Sequence, residues 1–343
     1  MKKQTNPTRT PSRRLLPALA LLLLLLAAIL AVRALLPRVR QEEVLISSQR
    51  SGQPVELHAT AWWPEGVRSA PLVLLCHGFT GNRQGDGHFA PLAARLAEYG
   101  IASIAVDFPG NGESEEPFTA YTIEAMQSDL RAAAVYMAEQ HGVDTGRLGL
   151  VGHSMGGRLV TLSLSEQVTA AALWSPADNT GLDGIEFLDH TAEGRQALLE
   201  AARAQGSVAL PQWGVTVGRD FLEEMAVSDP AQALRQYHGR LLVAFAGGDP
   251  ALLSQQTIDL TLQAAAQGNP DFVNLYGLFE NATHNYNAIS QDAQENRDIC
   301  TRLEEQTALF LRDALRRWTF TTGGILCKPN FHPHPPAGIT LTF

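Results

Sequence analysis

Short, nearly continuous apolar runs recur from residue 71 onward: PLVLLCHGF (71–79), IASIAVDF (101–108), RLGLV (147–151), AALW (171–174), RLLVAFAGG (240–248) and VNLYGLF (273–279). Such runs lack the alternation of a half-exposed strand, and they match strands buried on both faces of a parallel sheet. Between them, residues 89–100, 122–142, 155–167 and 253–268 carry apolar positions at helical spacing. Strand and helix in alternation predict an α/β fold, a mostly parallel twisted sheet flanked by helices. Two earlier segments, EVLISS (43–48) and VELHATAWW (55–63), flank the turn-like QRSGQP and add an antiparallel start. Residues 178–238 break the rhythm with the helical run TAEGRQALLEAARAQ and then LPQWGVTVGRDFLEEM, without a clear buried strand. They are expected to form a small cap insertion over the C-terminal edge of the sheet. A last helix, CTRLEEQTALFLRDALRRW, closes a domain spanning 41–318, and the aperiodic tail 319–343 is expected to be loosely ordered.

The first 40 residues follow different rules. From Leu15 to Val32 the chain is uncharged and almost wholly apolar, behind Lys2, Lys3, Arg9, Arg13 and Arg14. Eighteen helical residues reach about 27 Å, close to the thickness of a bilayer core. The expectation is an N-terminal membrane anchor over residues 1–40, with the body outside the cytoplasm, or a secreted body if the segment is cleaved near Ala34. Residues 1–40 hold eight Lys or Arg and no acid, so the rest of the chain carries 18 basic against 35 acidic side chains. A body of net charge −17 repels phosphate backbones, which argues against nucleic acid as a partner. Cys76, Cys300 and Cys327 are too few and too scattered for a disulfide framework. Cys76 reads as core, whereas Cys300 and Cys327 could pair in an oxidising compartment.

The chemistry concentrates at GHSMGG (152–157). An apolar strand ends at Val151 and a helix begins just past Ser154, the strand–turn–helix context in which a serine is forced into a strained conformation that pushes its hydroxyl clear of the sheet. The plainer reading of Ser154 is a turn and helix cap. A serine hydroxyl needs a base, and the base needs an orienting acid. These partners are expected past later strands in the order acid, then histidine. Asp249 follows RLLVAFAGG and His284 follows VNLYGLFENAT, with Asp178 as reserve acid. The oxyanion amides are expected at Met155, just after the serine, and at Phe79, in the loop that follows PLVLLC beside the small Gly78. His77 reads as a brace for that loop and His153 as a lining of the elbow. PGNGES (109–114) reads as a turn, since it lacks the Lys and Ser/Thr of a phosphate loop. No cofactor or metal is expected, the tail residues Cys327, His332 and His334 being the weak exception.

The stretches CHGFTGNRQGDGHFAPLAARLAEYGIASIAVDFPGNGES and VDTGRLGLVGHSMGGRLV resemble the serine-hydrolase branch of the α/β-hydrolase superfamily, nearest to bacterial cinnamoyl and feruloyl esterases, with monoacylglycerol-lipase-like and S33 serine-peptidase-like proteins behind. The similarity is densest over 71–160. It implies Ser154 as nucleophile, Asp249 as acid, His284 as base, Phe79 and Met155 as oxyanion amides, and a small-molecule ester as substrate. Around the acid the chain reads AGGDPALL, and ENATHNY replaces the usual glycine-rich approach to the histidine. An aminopeptidase, amidase or acyltransferase on the same triad is the second enzymatic reading, and an inactive anchored binding module is the third. The oligomeric state stays open.

Overall fold

The computed structural model describes residues 38–50, 52–140, 142–248 and 253–316. The expected membrane anchor and its localisation, the C-terminal tail with Cys327, and Asp249 lie outside these residues. Among the described residues no helix is long and apolar enough to cross a membrane.

Strands β1 (Val39–Arg50), β2 (Gln53–Pro64), β3 (Ala70–Cys76), β4 (Ala102–Val106), β5 (Val143–His153), β6 (Val168–Trp174), β9 (Arg240–Ala244) and β10 (Val273–Asn274) form one eight-stranded sheet in the order β1-β2-β4-β3-β5-β6-β9-β10. The first two strands pair antiparallel with each other, and β2 pairs antiparallel with β4. From β4 onward every pairing is parallel. The apolar runs dictate this arrangement: every residue of β3 and β4 is buried, so these strands can sit only between two covered faces.

Helices α1 (Phe89–Glu98) and α8 (Ala293–Ala314) cover one face, where Phe89, Leu92, Leu303 and Leu311 meet Val73, Leu75 and Trp174. On the other face α2 (Ile123–Glu139), α3 (Met155–Leu162) and α7 (Gln255–Gly268) bury Met126, Leu130, Leu159 and Ile258 against Leu72, Leu74 and Leu150. Capping side chains fix where several helices begin. Thr122 accepts from the amide of Ala125, Ser254 from Thr257, and Asp292 from Gln294 and Glu295.

One region holds more than its pattern showed, and one expectation needs correction. Residues 178–238 do contain strands: β7 (Ser207–Leu210) and β8 (Val215–Gly218) form a hairpin between α4 (Ala192–Gln205) and α5 (Arg219–Val227). These four-residue strands are only half-buried, so they leave no continuous apolar run, and Gly214 turns between them at φ 68°. Helix α6 (Pro230–Gln236) then packs on α7, where Gly268 leaves no room for a Cβ against the carbonyl of Leu234. The run 273–279 is not one strand. It pairs with β9 at Val273 and Asn274, turns at Gly277 (φ 85°), and returns at a single Phe279–Ala246 bridge. Tyr276 and Leu278, apolar in the pattern, are 46% and 39% exposed there.

Candidate active site

Ser154 occupies the turn between β5 and α3 with φ 56° and ψ −119°, a conformation that costs an L-residue energy and persists only under constraint. The constraint is visible. Its amide donates to Trp174 O (2.9 Å), and its carbonyl accepts from Arg158 N (3.0 Å) and Ala177 N (3.2 Å). A Cβ on Gly152 would strike the carbonyl of Gly156, and one on Gly156 would strike the carbonyls of Cys76 and His77. Only glycines let the strand and helix close this tightly around the serine. Gly78 faces the serine from the end of β3, where an added Cβ would lie 3.1 Å from Ser154 Cβ. Met155 opens α3, so its N–H belongs to the first turn, which has no acceptor within the helix.

His284 sits in a loop, residues 279–289, that hydrogen bonds hold to the ends of the strands. Gly247 N donates to Phe279 O (2.9 Å) and Gly248 N to Ala282 O (2.8 Å), which stitches the segment after β9 to the loop. The buried Tyr286 hydroxyl meets Ser175 Oγ (3.0 Å), which also accepts from Ala246 N (3.1 Å). Two histidine rings grip the loop's backbone: His153 Nε2 donates to His284 O (2.9 Å), and His88 Nε2 to Asn285 O (2.9 Å).

Ser154 and His284 border one cavity of about 230 Å³, together with Gly78, Phe79, Thr80, Gly81, Asp86, His153 and Asn285. The insertion contributes Phe187 and Trp213, and Leu253 completes the wall. Phe79 packs edge-to-face against both Trp213 (5.4 Å between centroids) and Phe187 (5.3 Å). Among the described residues no group of three His, Cys, Asp or Glu could hold a metal ion.

Residues 73–292, well over half of the chain, match the alpha/beta hydrolase family. The chain is an alpha/beta hydrolase. The 2-(acetamidomethylene)succinate hydrolase of Mesorhizobium japonicum is 36% identical over 139 residues, which covers 40% of this chain and 44% of that protein. This hydrolase spans about a third to under half of the length of the curated relatives it matches. An esterase of Pyrococcus furiosus shares the fold at a TM-score of 0.56 and 16% identity, over 81% of this chain and 91% of that one. Est1E of Butyrivibrio proteoclasticus, solved with ferulic acid bound, does so at 0.54 and 18%, over 77% and 99%.

The structure thus gathers Ser154, His284 and Phe79 around one cavity of the hydrolase, with Met155 next to the serine. Asp249 lies outside the described residues, directly after the stitched Gly248. The reserve acid Asp178 is engaged elsewhere: it is fully buried, accepts from Thr161 Oγ1 (2.7 Å), and burial pushes its carboxyl up to about 7 against the pull of Thr161 and Arg158. His77 is a brace, accepting from Phe108 N at Nε2 (3.1 Å) and donating from Nδ1 to Gly78 O (2.8 Å). Burial lowers it to about 4, so it stays neutral near pH 7. Cys76 is core, and PGNGES is a turn closed by Asn111 N to Phe108 O and Ser114 N to Asn111 O. Among the insertion's aromatic residues, Phe221 is fully buried in the insertion's own core, while Phe187 and Trp213 reach the cavity. The sequence pattern did not reveal Asp86, His88 and Asn285, whose places depend on loops meeting across the sheet edge. The glycines of Gly85-Asp86-Gly87 were the one local hint.

Proposed function

We propose that this alpha/beta hydrolase cleaves carboxylic esters through an acyl-enzyme on Ser154. The observation that carries the reading is the strained serine at the β5–α3 turn, sharing one cavity with His284 and with the Gly78–Phe79 loop. His284 takes the hydroxyl proton as Ser154 Oγ attacks the ester carbonyl, and the amides of Phe79 and Met155 hold the negative charge that develops on the carbonyl oxygen. The imidazolium then protonates the departing alcohol. Water, deprotonated by the same imidazole, releases the acid and restores the serine. Asp249 is the acid that orients His284 in this reading. Its support is the pair of hydrogen bonds from Gly247 and Gly248, its immediate predecessors, to the loop that carries His284. The leucine-rich segment 15–32 anchors the protein in the membrane, with the hydrolase body on the extracytoplasmic side.

The test is hydrolysis of p-nitrophenyl butyrate by the full-length protein in detergent. Ser154→Ala is expected to lower kcat by at least about 10³-fold, since removal of a triad member leaves only the catalysis of the oxyanion hole and binding. Equal rates for wild type and Ser154→Ala would remove the proposal.

A further inference from the structure

The segment that follows the oxyanion loop takes no part in the chemistry above, yet its backbone is strained. Gly85, Asp86 and Gly87 all have positive φ, at 54°, 54° and 93°. Gly85 has no alternative, because a Cβ there would enter the ring of Phe89. Asp86 does have one, and a left-handed residue with a side chain costs about 1 kcal/mol or more. The turn is pinned by Gly85 N to Asn82 O (2.9 Å) and Gly87 N to Gln84 O (3.1 Å), and on its C-terminal side by His88 gripping Asn285. The pinned turn puts the Asp86 side chain in the cavity wall.

There the carboxylate meets a second acceptor. His153 donates from Nε2 to the carbonyl of His284, so the proton of the neutral ring resides on Nε2 and Nδ1 presents a lone pair. Burial, together with the neighbouring His284, keeps His153 neutral by holding its pKa well below the ordinary value. Nδ1 faces Asp86 Oδ2 at 3.8 Å. Two acceptors at this separation cannot satisfy each other, but a donor placed between them satisfies both. The described residues that line the cavity include no Lys or Arg to do this from the protein.

The position of the pair assigns it to one end of the substrate. His284 protonates the departing alcohol, so the alcohol lies on the imidazole side, and the His153 ring is 4.8 Å from that of His284. Phe79, whose amide serves the oxyanion, begins the aromatic wall with Phe187 and Trp213. We propose that Asp86 and His153 Nδ1 form a subsite for a cationic amine carried on the alcohol portion of the ester, while Phe79, Phe187 and Trp213 receive an apolar acyl group. This assignment rests on the ester-hydrolase reading.

The experiment compares 4-aminobutyl butyrate, whose primary ammonium at pH 7 carries N–H donors for both acceptors, with its uncharged isostere pentyl butyrate, following acid release in a pH-stat. Wild type is expected to favour the cationic ester in kcat/KM by at least about tenfold, the scale of a hydrogen bond to a charged group. Asp86→Asn keeps the shape and tolerates the left-handed turn, and in it the ratio is expected to fall toward one. A wild-type ratio near one, or a ratio preserved in Asp86→Asn, overturns the subsite while leaving the hydrolase standing. Failure of both esters and of p-nitrophenyl butyrate to exceed Ser154→Ala removes the hydrolase reading, and the subsite with it.

Discussion

His88 shows how one side chain can govern a loop it does not belong to. Its ring is buried between Glu304 Oε1, 3.2 Å from Nδ1, and Asn285 O, 2.9 Å from Nε2. Both neighbours are acceptors, so the doubly protonated ring suits the site. Burial alone would lower its pKa, but the Glu304 carboxylate, the Asn285 carbonyl and the nearby Asp86 override burial and raise it. Arg95, 3.7 Å from the other Glu304 oxygen, is the cation on the far side. A histidine whose folded pKa is raised stabilises the protein fully below its unfolded value and loses that contribution as pH rises through the folded value. Glu304→Gln is therefore expected to lower Tm by roughly 2–4 °C near pH 6, and the gap should narrow toward pH 9, where the contact with Arg95 alone remains. Thermal melts of the two proteins at both pH values check this, and a gap independent of pH would show that Glu304 acts through packing alone. Sequence could not disclose this role: Glu304 lies 216 positions from His88, and neither stands in a local motif. Ser154 was legible because its glycines and flanking strand and helix are all close in the chain.

At the scale of elements, helix α3 does more than carry the serine at its start. Arg158, one turn in, is fully buried and donates to Ala177 O (2.6 Å), Asn179 O (2.7 Å) and Ser228 Oγ (2.6 Å). Ala177 and Asn179 lead from β6 into the insertion, and Ser228 links α5 to α6 within it, so one guanidinium ties the insertion's entry and its later helices to the serine's helix. Burial lowers its pKa only to about 10, which leaves it charged near neutral pH with Asp178 and Asp229 for company. Arg158→Leu strands these acceptors and is expected to cost about 3–5 kcal/mol in urea-induced unfolding. An unchanged midpoint would mean that the insertion is held by its apolar contacts instead. Buried strands such as β3 were legible because burial on both faces writes itself as an unbroken apolar run. The β7–β8 hairpin was not, because half-buried four-residue strands leave no such mark, and the 273–279 run misled because Tyr276 and Leu278 are apolar yet exposed.

Across the whole molecule, charge and hydropathy are divided between two parts of the chain. Eight basic residues and an 18-residue apolar stretch lie before residue 41, and the remainder carries a net charge of −17. An acidic body has no electrostatic reason to settle on an anionic membrane surface, so the proposed membrane attachment of this hydrolase rests on the basic and apolar segment before residue 41. The sheet begins at Val39, beyond the apolar stretch in the chain. Two charges inside that stretch should therefore uncouple the protein from the membrane without touching the cavity. Replacing Leu23 and Leu25 by arginine adds about 2.5–3.5 kcal/mol of insertion cost at each position. The wild-type chain is expected to stay with the membrane pellet after alkaline carbonate extraction, and the double variant to appear in the supernatant with its p-nitrophenyl butyrate hydrolysis intact. Equal retention of both proteins in the pellet would place the attachment in the folded body, and loss of hydrolysis along with release would mean that the segment contributes to the fold itself.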